Sequence, residues 1–319
     1  MIKKCLINCW IGEFPEYFKL WELSCSKNND YDFFVFTDQN YKSKFNNVII
    51  IKKSLKELNN LFSEKLELKV KIEKPYKLCD FKPAYGKIFE DYIVNYDFWG
   101  YCDLDMIFGN ISQFVTTDIL EEYDKINKYG HFTLLRNTPL LKLLYQRDGA
   151  IFSYIDVFQS KENYAFDEIT GIDKIAKNIK IKSIDINCMA DIDVKHKRYL
   201  CINDSNYKEQ IFSWEGGKIY RYYIQGEKIN KEEKMYLHFQ KKKPLIKINE
   251  NSKEKYLIGE KGIVEFEEIN KEVINKINPI ICDENIEKLL YYKSKMLNFL
   301  KCSTKQKYIW ASQKLSGGK

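Results

Sequence analysis

This 319-residue chain is expected to form an α/β domain around a central, mostly parallel sheet, followed by a C-terminal extension of β-hairpins and helices. Short apolar strands recur along its first third with helical stretches between them. The pattern then changes to hairpins with glycine-rich turns. The composition, 45% hydrophobic and 30% charged, suits a chain that buries a sizeable core without staples.

Residues 4–10 (Lys-Cys-Leu-Ile-Asn-Cys-Trp) read as a buried strand bounded by Gly12 and Pro15. A helix is expected over 15–27, with Pro15 in its first turn and Phe18, Leu20, Trp21 and Cys25 among its apolar positions. Residues 31–36 form a second strand ending at Thr37-Asp38, residues 47–51 a third, and 54–65 a helical stretch. Pro83 opens a further helical stretch over 83–96, carrying Ala84, Ile88, Tyr92 and Ile93. The apolar strand 98–102, Phe-Trp-Gly-Tyr-Cys, runs straight into Asp103-Leu104-Asp105. Hairpins are expected over 212–220, around Gly216-Gly217, and over 256–266, around Gly259 and Gly262. Residues 283–301 read as a helix with Ile286, Leu289, Leu290, Met296, Leu297 and Leu300 near one face, and the final Ser-Gly-Gly-Lys as a flexible end. The division expected is 1–245 for the main domain and 246–319 for the extension.

Several function classes are disfavoured. No apolar run approaches the length of a membrane span. The basic start, Met1-Ile2-Lys3-Lys4-Cys5, is followed by a stretch broken by Asn8, Glu13 and Pro15, which reads as a strand and not as a signal peptide. Nine cysteines with no Cys-x-x-Cys point to reduced thiols in the cytoplasm, against a disulfide scaffold or a zinc finger. Of the net charge of +7, residues 283–319 supply +5, from eight lysines and three acids. The rest is close to neutral, which argues against nucleic acid as a partner.

Asp103-Leu104-Asp105 is the sharpest chemical feature. Alternation puts both carboxylates on one side, at the carboxyl end of a strand, where ligands bind in open α/β sheets. Two such groups repel unless a cation joins them, and hard oxygen ligands suit Mn²⁺ or Mg²⁺ bridging a nucleotide diphosphate. Three segments accompany it. His238, followed by Lys241, Lys242 and Lys243, could supply a nitrogen ligand and cations for a diphosphate, or be a half-buried histidine beside solvated lysines. Asp80 and Lys82 precede Pro83, and Asp80 could cap a helix or bond a base or ribose while Lys82 faces a phosphate. Asp167 and Glu168 could supply a general base or hold an acceptor, or simply open a helix. His131 and His196 lack any partner pattern and read as structural. Most cysteines read as buried apolar residues, with Cys102 the one that could line the pocket by its backbone.

The block from Leu78-Cys79-Asp80-Phe81-Lys82-Pro83-Ala84-Tyr85 to Phe98-Trp99-Gly100-Tyr101-Cys102-Asp103-Leu104-Asp105 resembles the donor site of GT-A fold glycosyltransferases with the DxD motif. His238 with Lys243-Pro244 is similar to the His-x-x-x-x-Lys-Pro end of retaining galactosyltransferase-like enzymes, without the glycine usual inside that motif. The opening strand with Phe36-Thr37-Asp38 resembles the first half of a GT-A domain. The likeness covers about residues 1–245 and is nearest to bacterial glycosyltransferase-like proteins of capsule and lipopolysaccharide clusters; the last 75 residues lie outside it.

This resemblance implies a Rossmann-like GT-A sheet and transfer of a sugar from a nucleotide-diphosphate donor, a UDP-sugar favoured, to a hydroxyl of a cell-surface glycan or lipid-linked acceptor. The histidine match favours retention. It implies Asp103, Asp105 and His238 as ligands of Mn²⁺ or Mg²⁺. Cys9, Trp10, Asp38, Asp80, Lys82, Tyr85, Cys102, Asp103, Lys241 and Lys243 would form the donor site, with Asp167 and Glu168 as catalytic or acceptor-aligning residues. The alternatives are a nucleotidyl- or phosphotransferase with the same metal site, and a non-catalytic module recruited to a surface. The basic terminal helix could lie on the inner face of an anionic membrane, or pack on its own domain or a second subunit.

Overall fold

The computed structural model describes residues 2–202, 204–249, 253–280 and 283–316. In chain order the strands of the first part are β1 (Lys4–Trp10), β2 (Tyr31–Thr37), β3 (Val48–Lys52), β4 (Phe98–Cys102), β5 (Met106–Phe108), β6 (Lys125–Tyr129), β7 (Phe132–Arg136), β8 (Ser183–Ile184) and β9 (Ala190–Asp191). They are followed by β10 (Gln210–Glu215), β11 (Lys218–Gln225), β12 (Lys228–Lys234), β13 (Tyr236–His238), β14 (Ile246–Lys247), β15 (Lys255–Gly259) and β16 (Gly262–Glu265).

The main sheet has the order β3-β2-β1-β4-β7-β6-β8. Its first four strands are parallel, β4/β7 and β7/β6 are antiparallel, and β6/β8 is parallel. The fold is therefore mixed α/β. Alternation along the strands fills both faces. Ile7, Phe34, Phe36, Trp99 and Tyr101 enter one core, and Leu6, Phe33, Val35, Phe98 and Cys102 the other. The helices Phe18–Ser26 and Leu55–Lys65 fall where helical stretches are expected, the second held by a capping box between Ser54 and Glu57.

The helix expected over 83–96 is broken. Pro83 lies inside the 3₁₀ segment Pro75–Ala84, a single helical turn spans Tyr85–Ile88, and another 3₁₀ turn spans Glu90–Tyr92. Packing overrides the helical pattern here. Tyr85, Ile88, Phe89 and Ile93 are all drawn into one core. The Gly86 backbone lies so close to Trp99 that a Cβ there would come within 2.4 Å of the indole.

Strands β5, β13 and β9 form a small sheet in the order β5-β13-β9. A six-stranded sheet, β12-β11-β10-β15-β16-β14, follows. Both expected hairpins are present, with Gly216 and Gly217 at φ +57° and +98° in the first turn. Because β15 pairs with β10, the boundary expected at residue 245 falls inside one sheet. That sheet also shares a core with the small one: Trp214, Tyr256 and Ile258 pack with Ile107, Leu237 and Phe239, and the Trp214 indole donates to the Phe108 carbonyl at 2.9 Å.

Two helices, Glu284–Lys301 and Thr304–Leu315, end the described chain. Residues 317–319 of the expected flexible end lie outside the described residues. Among the described residues no helix is long and apolar enough to cross a membrane.

Candidate functional site

Strands β1, β2 and β4 run parallel, so their carboxyl ends share one edge, where Trp10, Asp38 and Asp103 follow in turn. Asp38 accepts from the Gly12 amide at 3.0 Å and the Gln39 side chain at 2.9 Å, and these bonds, Gly12's first, hold its carboxyl below the ordinary range. Gly12 itself sits at φ +107°, a conformation glycine adopts without strain. The Trp10 indole donates to the Glu13 carbonyl at 3.0 Å. Both residues thus tie down the loop after β1. Cys9 lies half-buried beside Tyr85, its thiol pushed up by burial to about 12. Tyr85 is 1% exposed and donates to the Leu78 carbonyl at 3.3 Å, so it supports the edge from beneath. Cys102 is buried likewise, and its carbonyl accepts from Asn8 at 2.6 Å.

Beyond Cys102 the chain leaves the main sheet and enters the small one. Leu104 turns into the core, 1% exposed, while the Asp103 and Asp105 carboxylates stay partly accessible. Met106 pairs with His238 across β5/β13, and His238 with Asp191 across β13/β9. The Phe239 amide closes onto the Asp105 carbonyl at 2.8 Å. Residues 105, 191 and 238, remote in the chain, thereby meet. His238 has Nε2 3.4 Å from Asp105 Oδ1 and Nδ1 2.8 Å from Asp191 Oδ1, which also accepts from Gln240 at 2.8 Å. Burial alone would lower the imidazole's proton affinity, but Asp105 and Asp191 outweigh it and hold its pKa at about 10.

Asp103, Asp105 and His238 each offer a ligand atom, all within 4.8 Å of one another. Neighbouring ligands of a Mg²⁺-sized ion lie about 3–4 Å apart, so the donor set fits a small divalent cation after minor side-chain adjustment. The Asp191 contact strengthens the fit. It commits Nδ1 as the donor and leaves Nε2 facing the carboxylates, as in histidines that ligate metals. A second group, His131, Asp191 and His238, is equally close. Its atoms are engaged with one another and with Tyr236, whose hydroxyl lies 3.1 Å from His131 Nδ1. Burial and the charge of His238 push His131 down to about 3, keeping it neutral.

Lys82 joins the group from the 3₁₀ segment Pro75–Ala84. Its ammonium contacts Asp103 at 2.6 Å, the Gly130 carbonyl at 2.9 Å and Asp167 at 3.1 Å. Burial works against the charge, yet Asp103 and then Asp167 hold it well above the ordinary lysine value. Asp167 is 4% exposed, and burial lifts its carboxyl to about 7 against the pull of Lys82, with Glu168 adding to the rise. A Cβ at Gly130 would meet Asp167 Oδ2 at 2.5 Å, so this turn needs glycine for the carboxylate to reach Lys82.

Asp80 departs from both sequence readings, neither capping a helix nor standing open to a ligand. It is 0% exposed, pairs with Lys77 at 2.7 Å, and accepts from the Tyr164 and Phe166 amides at 3.0 Å. It acts on the site indirectly, by holding the segment that leads to Asp167. Lys241 and Lys243 are exposed, while Lys242 between them donates to the Lys197 carbonyl at 3.0 Å and to that of His196. Within the segment that resembles the motif, which lacks its usual glycine, Gln240 adopts φ +55° and spends its side chain on Asp191. Sequence reasoning missed Asp191 and Gln240 and set His131 aside; their only signal is the pairing of very short strands.

A model of one protein family matches residues 6–267. The chain belongs to the family of unknown function DUF6625. In this DUF6625 chain the matched span contains every candidate site residue and the β15–β16 hairpin, and stops before the two terminal helices. No curated protein matches it. Among solved structures it is similar to the glycosyltransferase GlyE of Streptococcus pneumoniae TIGR4, at 11% identity and a TM-score of 0.27, over 59% of this chain and 46% of that one. The chain thus spans less than half of GlyE.

Proposed function

We propose that the chain is a metal-dependent glycosyltransferase that moves a sugar from a nucleotide-diphosphate donor, a UDP-sugar favoured, to a hydroxyl of a cell-surface glycan or lipid-linked acceptor. The observation that supports it is the convergence of Asp103, Asp105 and His238, with His238 oriented by Asp191, at the edge where three parallel strands end. A bound Mn²⁺ or Mg²⁺ would supply charge neutralisation for a departing diphosphate. Asp103, Asp105 and His238 would hold it, and Trp10 and Asp38 border the neighbouring strand ends where a nucleoside would lie.

In the transfer, the acceptor oxygen bonds to the anomeric carbon, the bond from that carbon to the diphosphate oxygen breaks, and its electron pair leaves with the nucleoside diphosphate. The acceptor's proton passes to a carboxylate or, with retention, to a donor phosphate oxygen. Asp167, balanced near neutral pH, suits accepting that proton or holding the hydroxyl. Lys82 holds Asp167 and Asp103 at a fixed separation.

The test is a screen of UDP- and GDP-sugars with Mn²⁺ or Mg²⁺ for thermal stabilisation and slow hydrolysis. A hit that releases free nucleoside diphosphate and disappears in Asp105→Ala supports the proposal. A phosphorylated product overturns it in favour of phosphoryl transfer, as does a hit that Asp105→Ala leaves intact in favour of some other site.

A further inference from the structure

The helix Glu284–Lys301 meets the protein by its polar side. Glu287 is 8% exposed, accepts from the Lys197 amide at 3.2 Å, and lies 3.4 Å from His196. Another face carries Leu289 and Leu290, then Met296 and Leu297 seven residues on, then Leu300, and these remain between 48% and 68% exposed. A helix that completes a globular core does the reverse. Beside the stripe, Phe299 stacks on Trp310 of the next helix at 5.8 Å between ring centres, and both rings stay partly exposed.

Charge identifies what this face meets. From Tyr291 to Leu315 there are six lysines, at 293, 295, 301, 305, 307 and 314, and no aspartate or glutamate. Lys293 lies within the apolar stripe itself. A second copy docking on this face would set one lysine cluster against another, with no acid between residues 291 and 315 to offset either. An anionic lipid surface offers the complement on both counts, with acyl chains for the leucines and phosphates for the lysines. We propose that the helix Glu284–Lys301 lies in the plane of an anionic membrane, its leucine stripe inserted and its lysines on the headgroups, Lys293 reaching them along its four-carbon stem. This partner lies beyond the proposed transfer reaction and does not depend on it.

The test is co-sedimentation of the full chain, without metal or nucleotide sugar, with vesicles of phosphatidylglycerol and phosphatidylcholine and with pure phosphatidylcholine vesicles. Binding is expected only to the anionic vesicles, weakening as salt rises. The double variant Leu289→Asp/Leu297→Asp should abolish it. Each of Lys293→Glu and Lys295→Glu should weaken it by about fivefold or more. The two leucines are exposed, so the variant should melt with the wild type; if it does not fold, the lysine variants and the salt series decide. Equal binding to neutral vesicles, no binding by the folded full chain, or binding untouched by the lysine variants overturns the proposal. So does a concentration-dependent dimer that the leucine variant dissolves when no vesicle binding is seen, which would give the stripe to a second copy.

Discussion

Replacing Asp80 with asparagine separates a buried structural anchor from a donor-contacting residue. The carboxylate is fully enclosed, and its partners are all donors: the Lys77 ammonium and the amides of Tyr164 and Phe166. Lys77 is itself about 2% exposed and also donates to the Val157 and Glu162 carbonyls at 2.7 and 2.6 Å. Asp80→Asn keeps the shape but leaves the ammonium without its counter-charge, and breaking a buried pair in this way costs about 3–5 kcal/mol. With an unfolding entropy of about 2.1 cal/mol/K per residue, a chain of 319 residues has about 0.7 kcal/mol/K, so the melting temperature should fall by about 4–7 °C. Asp103→Asn is the control: that carboxylate is partly exposed, and Lys82 keeps Asp167 as a partner, so melting should barely move. Differential scanning calorimetry of both variants reads the difference. An Asp80→Asn protein that melts with the wild type yet loses donor binding would refute the anchoring argument and return Asp80 to the cleft.

Three further outcomes follow from the same geometry. Asp191→Asn removes the carboxylate that holds His238 Nδ1, and Mn²⁺ affinity measured by titration calorimetry should fall about 10–100-fold; unchanged affinity means His238 is not a ligand. On the proposed transfer, Asp167 would serve in its ionised form whether it takes the acceptor's proton or holds the hydroxyl. Turnover should therefore decline as pH drops through about 7, and a pH–rate profile that keeps this limb in Asp167→Asn would assign it elsewhere. The raised value also means the folded chain holds that proton more tightly than the unfolded chain, so the Asp167 contribution to stability is present at acid pH and lost as pH rises through about 7. Gly130→Ala would press a methyl against Asp167 and displace it from Lys82. Activity should fall by about 100-fold with little change in melting, and a variant of normal activity would show that the Lys82–Asp167 contact is dispensable.

The parts of the site that sequence displayed are those whose signal is local. Asp103 and Asp105 stand two apart at the end of an apolar strand, and His238 stands in a strand-like segment with a characteristic lysine-proline end. Their convergence depends on strands of only two or three residues, β5, β9 and β13, too short to leave a periodic pattern. Asp191 was hidden for that reason. Asp80 was visible as a residue but not as an anchor, because its amide partners come from a turn more than 80 residues further on. The helix lost within 83–96 has a tertiary cause: contacts with Trp99 outweigh local preference.

The terminal helices also reach the candidate site through the interior. Ile309 is 1% exposed in the main core, Gln306 exchanges hydrogen bonds with the Asn163 backbone at 3.1 and 2.8 Å, and Gln313 donates to the Tyr164 carbonyl. The Tyr164 amide in turn bonds Asp80, Phe166 does the same, and Asp167 follows against Lys82 and hence Asp103. The segment 163–167 is thus gripped from outside by the helix Thr304–Leu315 and from inside by Asp80. Placing the helix before it on a membrane would constrain the same rigid chain of contacts that sets the spacing of Asp167 and Asp103. Truncation after residue 302 removes the helix Thr304–Leu315 but keeps Glu284–Lys301 and its leucines, so it should disturb Asp167 and Asp103 while sparing most of any surface attachment, whereas the exposed-face variant Leu289→Asp/Leu297→Asp should spare the carboxylates and remove the attachment. Comparing the two in solution, with a soluble acceptor and no vesicles, separates the helix that docks the protein from the helix that holds its candidate site in shape.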